Sequence, residues 1–251
     1  MKQTAYIFIL LCLLPLATIA QDIAALQKDA ERLEPSSQEE AFKRYQEILR
    51  LQPVNLNALC KSSELCSAIG HRQASKTAQV NYFNAARRFA EAALRIAPAN
   101  SEANFAMSFA MGRISLISSG RDKIVAVHEI KRYAELSIKA DPANYKPYHV
   151  LGKWHYEVSN LNAFERALAR LLYGGLPPAS LQESIAFYEK SRSLNPGFTL
   201  NYLELARAYH RNDQNAIAFD MLNKLNALPN KTQDDPRVKE EGKRLMKELG
   251  R

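Results

Sequence analysis

The chain has 251 residues, 47% of them hydrophobic and 24% charged, with only 9 glycines. That length allows one large domain or two small ones, and the balance is that of an ordered, soluble, globular protein. The formal net charge of +8 suits plain solubility and, outside the cytoplasm, directs attention to anionic lipid, acidic glycan or acidic protein before nucleic acid.

The first element is "MKQTAYIFILLCLLPLATIA", with Lys2 as a positive start, an apolar run from Tyr6 to Ala17, and Thr18 and Ala20 at the −3 and −1 positions before Gln21. This pattern predicts a secretory signal peptide over residues 1–20 and a periplasmic or secreted mature protein. The run is shorter than the about 20 apolar residues an anchoring helix needs. Cys12 follows bulky Leu10 and Leu11, where lipid-anchoring signals place a small residue. A retained N-terminal anchor is the alternative. Cleavage removes Lys2 alone among charged side chains and leaves +7.

Next, "DIAALQKDAERLE" and "EEAFKRYQEILRLQP" predict a first pair of helices. "NALCKSSELCSAIG" follows with Cys60 and Cys66. Six residues on one helix separate the two by about 9 Å, beyond disulfide reach, so both are expected as small core residues.

Four segments then share a pattern in which a helix runs into a proline: "EAFKRYQEILRLQPVN", "RRFAEAALRIAPANSE", "IKRYAELSIKADPANY" and "ESIAFYEKSRSLNPGF". Proline lacks an N–H and disfavours helical geometry in the residue before it, so each one stops its helix. Ten residues beyond prolines 53, 98, 142 and 196 stand the small residues Ser63, Ser108, Gly152 and Ala206. Six residues beyond them stand Leu59, Asn104, Tyr148 and Tyr202. Small residues on a first helix let an antiparallel second helix approach closely, and large neighbours fill the groove between hairpins.

The pattern resembles the tetratricopeptide repeat, a helix–turn–helix unit of about 34 residues. The prolines lie 45, 44 and 54 residues apart, so each repeat carries extra residues, expected between its two helices. They fall in "HRQASKTAQVNYFNA", in "SSGRDKIVAVHE" and, longest, in "LNAFERALARLLYGGLPPAS". "LNYLELARAYHRNDQNAIAFDMLNKLNALP" returns to ordinary spacing, and "PRVKEEGKRLMKELGR" resembles a solubilising capping helix. The fold expected is therefore all-α: one tetratricopeptide-like helical-hairpin solenoid over residues 21–251, with long intra-repeat insertions and a C-terminal cap.

The segment "HVLGKWHYEVSNLNAFERALARLLYGGLPPASLQESIAFYEKSRSLNPGF" is more specific. Leu151, Gly152, Trp154, Leu172, Gly174, Pro177, Pro178, Phe187, Lys190, Pro196 and Phe198 match the core pattern of the regulator of microtubule dynamics proteins. The chain resembles that family from about residue 58 to 229. The resemblance implies no catalytic residues. Animal members are described as microtubule-associated or as tethers at organelle contacts, and one member's repeat domain is linked to phospholipid binding and transfer. This chain departs from them in its export signal and in lacking an acidic tract with paired phenylalanines. An exported protein does not meet microtubules, so that role is not carried over.

No catalytic, cofactor or metal site emerges. The glycines 174 and 175 are followed by Leu176, Pro177 and Pro178, which lack the lysine and the N–H groups of a phosphate-binding loop. They are expected to end an inserted helix, with Ser180 capping the next helix and Glu183 completing a capping box. His128 in "HEIKR" lacks the second histidine of a zinc protease helix, and no GxSxG elbow is present. Asn230-Lys231-Thr232 is a glycosylation sequon, of use only in a eukaryotic host.

Candidate groove contacts are Tyr148, Trp154, His155, Tyr202 and Tyr209, with packing between hairpins as the plainer role for each. In "LNAFERALARLL" the apolar Phe164, Leu168, Leu171 and Leu172 form a stripe, while Arg166 and Arg170 share a face. The plainer expectation is that the stripe docks on the solenoid. The alternative is that it covers an apolar tunnel or touches an anionic membrane surface through Arg166 and Arg170. The function expected is a non-catalytic exported scaffold holding a protein or peptide in its concave groove. The alternative is a module that binds or transfers lipid or another apolar ligand.

Overall fold

The computed structural model describes residues 21–250; the signal peptide expected over 1–20 lies outside the described residues. Helix is the regular structure throughout. The elements are α1 (21–33), α2 (Gln38–Leu51), α3 (Leu56–Arg72), α4 (Lys76–Ile96), α5 (Ser101–Ile117) and α6 (Gly120–Ala140). After them come α7 (Tyr145–Ser159), α8 (Ala163–Tyr173), α9 (Leu181–Leu194), α10 (Thr199–Arg211), α11 (Asn215–Ala227) and α12 (Asp235–Leu249). Antiparallel hairpins form from α1–α2, α3–α4, α5–α6, α7–α9 and α10–α11, and α12 closes the end against α10 and α11. This is the tetratricopeptide-like solenoid expected from the sequence.

The turns between hairpins follow a local rule. In "PVN", "PAN" and "PAN" the proline ends one helix and the asparagine two residues later caps the next. The side chains of Asn55, Asn100 and Asn144 accept from the backbone N–H groups of Ala58, Ala103 and Lys146 at 2.9, 3.0 and 3.1 Å. Such caps satisfy donors that a helix start otherwise leaves open. Phe198 stands at the fourth such turn and makes no side-chain cap.

Six residues past three of the prolines, a side chain reaches back to the carbonyl of the proline itself. Asn104, Tyr148 and Tyr202 donate to Pro98, Pro142 and Pro196 at 2.8, 3.2 and 3.1 Å. The small positions also behave as their spacing demands. A Cβ on Gly152 would stand 2.6 Å from the ring of fully buried Tyr188 on α9, and Ser63 donates to the Ala86 carbonyl on α4 at 2.8 Å. Large side chains such as Tyr188, Leu203 and Leu222 are then removed from water entirely, each contributing about 1.5–3 kcal/mol.

Two of the three insertions differ from expectation. Residues 76–85 and 120–129 do not form separate segments between helices. They lengthen the second helices, so α4 and α6 each run to 21 residues against 14 in α9 and 13 in α11. Ser75 caps α4 directly and no further breaker interrupts either helix, so added residues prolong the helical rods. The third insertion has its own start and stop, Asn162 and Gly174, and forms α8. Gly174 and Gly175 have φ of 80° and 92°, a left-handed pair that only glycine adopts freely.

Candidate functional site

Consecutive first helices pack on one another, α3 on α5, α5 on α7, α7 on α10 and α10 on α12. They form the inner, concave side of the solenoid, and the second helices lie outside. Ion pairs run across this inner side. Lys146 on α7 meets Glu64 on α3 at 3.2 Å and Glu102 on α5 at 2.9 Å. Burial opposes the lysine's charge, but the two glutamates outweigh it and hold the group above its usual range. Glu204 on α10 takes Lys153 at 3.0 Å and Arg207 at 2.8 Å, and Arg207 continues to Glu241 on α12 at 2.8 Å.

The inner side also closes end to end. Arg72 on α3 donates to Gln38 and Glu39 on α2, and to Asp234, which precedes α12, at 2.7, 3.1 and 3.1 Å. Gln233 accepts from the backbone N–H of Gln38 at 3.2 Å. The first two hairpins therefore touch the segment that leads into α12.

Arg113 of α5 stands out on this face. Its guanidinium lies 5.0 Å above the Phe109 ring and forms no ion pair among the described residues. Its Nε is buried without a hydrogen-bond partner. Burial lowers its pKa to about 10, with Asp234 opposing the shift and Arg237 adding to it. Asp234 is itself engaged by Arg72, and a guanidinium with no ion pair of its own suits an anionic group.

The expected groove residues are placed as follows. Tyr148, Trp154, His155 and Tyr202 are buried, at 9%, 4%, 3% and 5% exposure. The tyrosine hydroxyls bind proline carbonyls, as above. Trp154 Nε1 donates to the Val127 carbonyl at 2.8 Å, fixing α7 on α6. His155 stacks on Phe187, 5.3 Å between centroids, and its Nδ1 accepts from Ser180 N–H at 3.4 Å, with a Glu183 carboxylate oxygen at 3.1 Å. Tyr209 donates to Glu189 at 2.9 Å. Their polar atoms serve the packing of hairpins. Ser180 caps α9 by accepting from Glu183 N–H at 3.1 Å. The expected capping box is incomplete there, because the Glu183 carboxylate turns to the Ser180 hydroxyl and His155. A full capping box forms at α8 between Asn162 and Glu165.

The α8 stripe does not dock on the solenoid. Phe164, Leu168, Leu171 and Leu172 are 74%, 42%, 82% and 54% exposed, and the opposite edge is the one held. Ala169 is buried, and Arg166 donates to the carbonyls of Leu161 and Ser159 at 2.9 and 2.8 Å, capping the end of α7. The Tyr173 hydroxyl lies beside Gly120 of α6. Periodicity defined the stripe correctly, but the small Ala169 and the carbonyl-seeking Arg166 decided which side faces the protein. Arg170 points to solvent without an ion pair among the described residues, so the two arginines part company.

The described residues hold no group of three histidine, cysteine or acidic side chains placed for a metal. Cys60 and Cys66 are free and buried, and burial pushes each thiol up to about 12, far from the thiolate a nucleophile requires. An apolar groove of about 570 Å³ opens between the outer helices α2 and α4, lined by Phe42, Leu49, Leu59, Cys66, Tyr82 and Phe89. No helix among the described residues is long and apolar enough to cross a membrane.

Comparison with known proteins agrees with this architecture. Residues 25–250 match the family described as Regulator of microtubule dynamics protein 1-3. Regulator of microtubule dynamics protein 3 of Xenopus laevis is 30% identical over 174 residues, 69% of this chain and 37% of that protein. Regulator of microtubule dynamics protein 2 of Homo sapiens is 28% identical over 172 residues, 68% of this chain and 42% of that protein. The chain thus spans about two-fifths of the length of these relatives. A thermophilic TPR protein of Thermus thermophilus superimposes with a TM-score of 0.64 at 12% identity, over 87% of this chain and 98% of that one, a likeness of fold alone.

Proposed function

This chain belongs to the Regulator of microtubule dynamics protein 1-3 family, and we propose that it is a non-catalytic, exported repeat scaffold that holds an acidic segment of a protein partner on its concave side. The observation that carries this reading is Arg113. It lies near Asp234, whose carboxylate is engaged by Arg72, and its own Nε is buried and unsatisfied. A carboxylate from a bound segment supplies the missing counter-charge, and the Phe109 ring below the guanidinium gives that segment an apolar neighbour. With the export signal expected over residues 1–20, this reading puts the partner outside the cytoplasm.

Affinity purification with the wild-type protein and with Arg113→Glu tests the reading. A partner retained by the first and released by the second is the expected result. Equal retention by both overturns the role of the inner face.

The groove between α2 and α4 favours a second reading, an apolar-ligand module. Its volume of about 570 Å³ and its phenylalanine and leucine lining suit an acyl chain or similar ligand. Native mass spectrometry with lipid extraction distinguishes the two: a co-purifying lipid with no peptide favours the second.

A further inference from the structure

The outward stripe of α8 is unusual for a soluble helix, because an amphipathic helix normally turns its apolar side to the core. Here the helix is anchored by Ala169, Arg166 and Tyr173, and four large apolar side chains are left in water. Leu116 and Val125, also exposed at 63% and 50%, lie near the α5–α6 corner beside which Tyr173 rests.

The charges around this face have one sign in excess. Arg170 on α8, and Arg121 and Lys123 next to Gly120, are exposed and form no ion pair among the described residues. The one acid on α8, Glu165, is committed to the capping box with Asn162. On α6, Asp122 stands alone between the two cations.

We propose that α8 is a membrane-docking helix that lays Phe164, Leu168, Leu171 and Leu172 into the interface of an anionic lipid surface. Its 11 residues span about 16 Å, too short to cross a bilayer and suited to lying in its plane. An anionic surface meets both features together, since the acyl boundary receives the apolar side chains and the headgroups receive Arg170, Arg121 and Lys123. Arg166 is spent on the carbonyls that end α7 and acts as an internal strut. A second copy of the chain fits the charges poorly, because it would bring its own Arg170, Arg121 and Lys123 to the same rim while Glu165 remains tied in the cap.

Co-sedimentation of the purified protein with vesicles tests the proposal, using phosphatidylcholine alone or mixed with phosphatidylglycerol. Binding is expected on the anionic vesicles, weakened by salt. The double variant Phe164→Ser, Leu171→Ser is expected to bind about tenfold less and to melt like the parent, because both side chains are exposed. Arg170→Glu is expected to weaken binding, and Leu171→Trp to shift its emission to the blue on anionic vesicles. Absence of binding, or equal binding by the double variant, overturns it. A dimer that the double variant dissolves would reassign the face to a second copy and overturn it as well.

Discussion

Gly152 and Tyr188 are in such close contact that a single added carbon has no room: a Cβ at 152 would lie 2.6 to 2.8 Å from three atoms of the tyrosine ring. Gly152→Ala must push α7 and α9 apart or force Tyr188 off its rotamer, costing about 1–3 kcal/mol. Urea unfolding should show that loss as a lower midpoint. A variant as stable as the parent would mean that the hairpin has room the structure does not show.

The contact between Arg72 and Asp234 predicts a change of shape. Arg72→Ala removes bonds to Gln38, Glu39 and Asp234, worth about 1–2 kcal/mol together for partly buried charged pairs. Small-angle scattering should record a larger radius of gyration. An unchanged radius with lowered stability would show that the ring stays shut without this residue.

Arg113 should behave in the opposite way to a paired charge. Its charged form is disfavoured by burial, so Arg113→Met relieves the free protein and is expected to raise its stability by about 1–2 kcal/mol. Polyglutamate peptide should raise the melting temperature of the parent and leave that of Arg113→Met unmoved. Equal response of the two would remove Arg113 from the proposed site.

Two histidines, His155 buried and His149 half-buried, set an acid limit. Burial lowers the pKa of His149, packed against Tyr188 and Phe198 with its Nδ1 bonded to Asn201; the bond and Glu204 oppose the shift, and Lys153 and Arg113 add to it. Burial also lowers that of His155, with Glu183 and Glu135 opposing and Lys131 adding. The fold disfavours the charged form of both groups, so their contribution is present above the ordinary value of 6.5 and is lost as pH falls through their lower folded values. Urea midpoints should therefore decline as pH falls below about 6.5. The double variant His149→Gln, His155→Gln should start lower and decline less. A parallel decline would assign the effect to other groups.

Much of the fold could be read from proline spacing, because proline acts locally. Prolines 53, 98, 142 and 196 stop helices wherever they are placed, and the small residues ten positions on mark the close approach that Gly152 and Tyr188 display. The asparagines at 55, 100 and 144 carried an equally local cap signal that the reading of the repeats did not use. The candidate site was less legible. Burial of Trp154 and His155 depends on where Val127 and Phe187 arrive from other helices. The outward turn of α8 depends on which edge meets α6 and the end of α7, which helical period leaves open. Arg113 carried no mark in its own segment, since its isolation comes from carboxylates on other helices being engaged by Lys153, Arg207 and Arg72.

The meeting of residues 38 and 72 with 233 and 234 also bears on how the protein loses its structure. In a linear stack each repeat touches only its neighbours, and the two ends fray independently. Here Gln38 of α2 and Arg72 of α3 bond to Gln233 and Asp234 at the entry to α12, so the two ends of the stack are tied to each other. Loosening α2 and loosening the start of α12 are therefore expected to be linked, and trimming one end should lower hydrogen-exchange protection at the other.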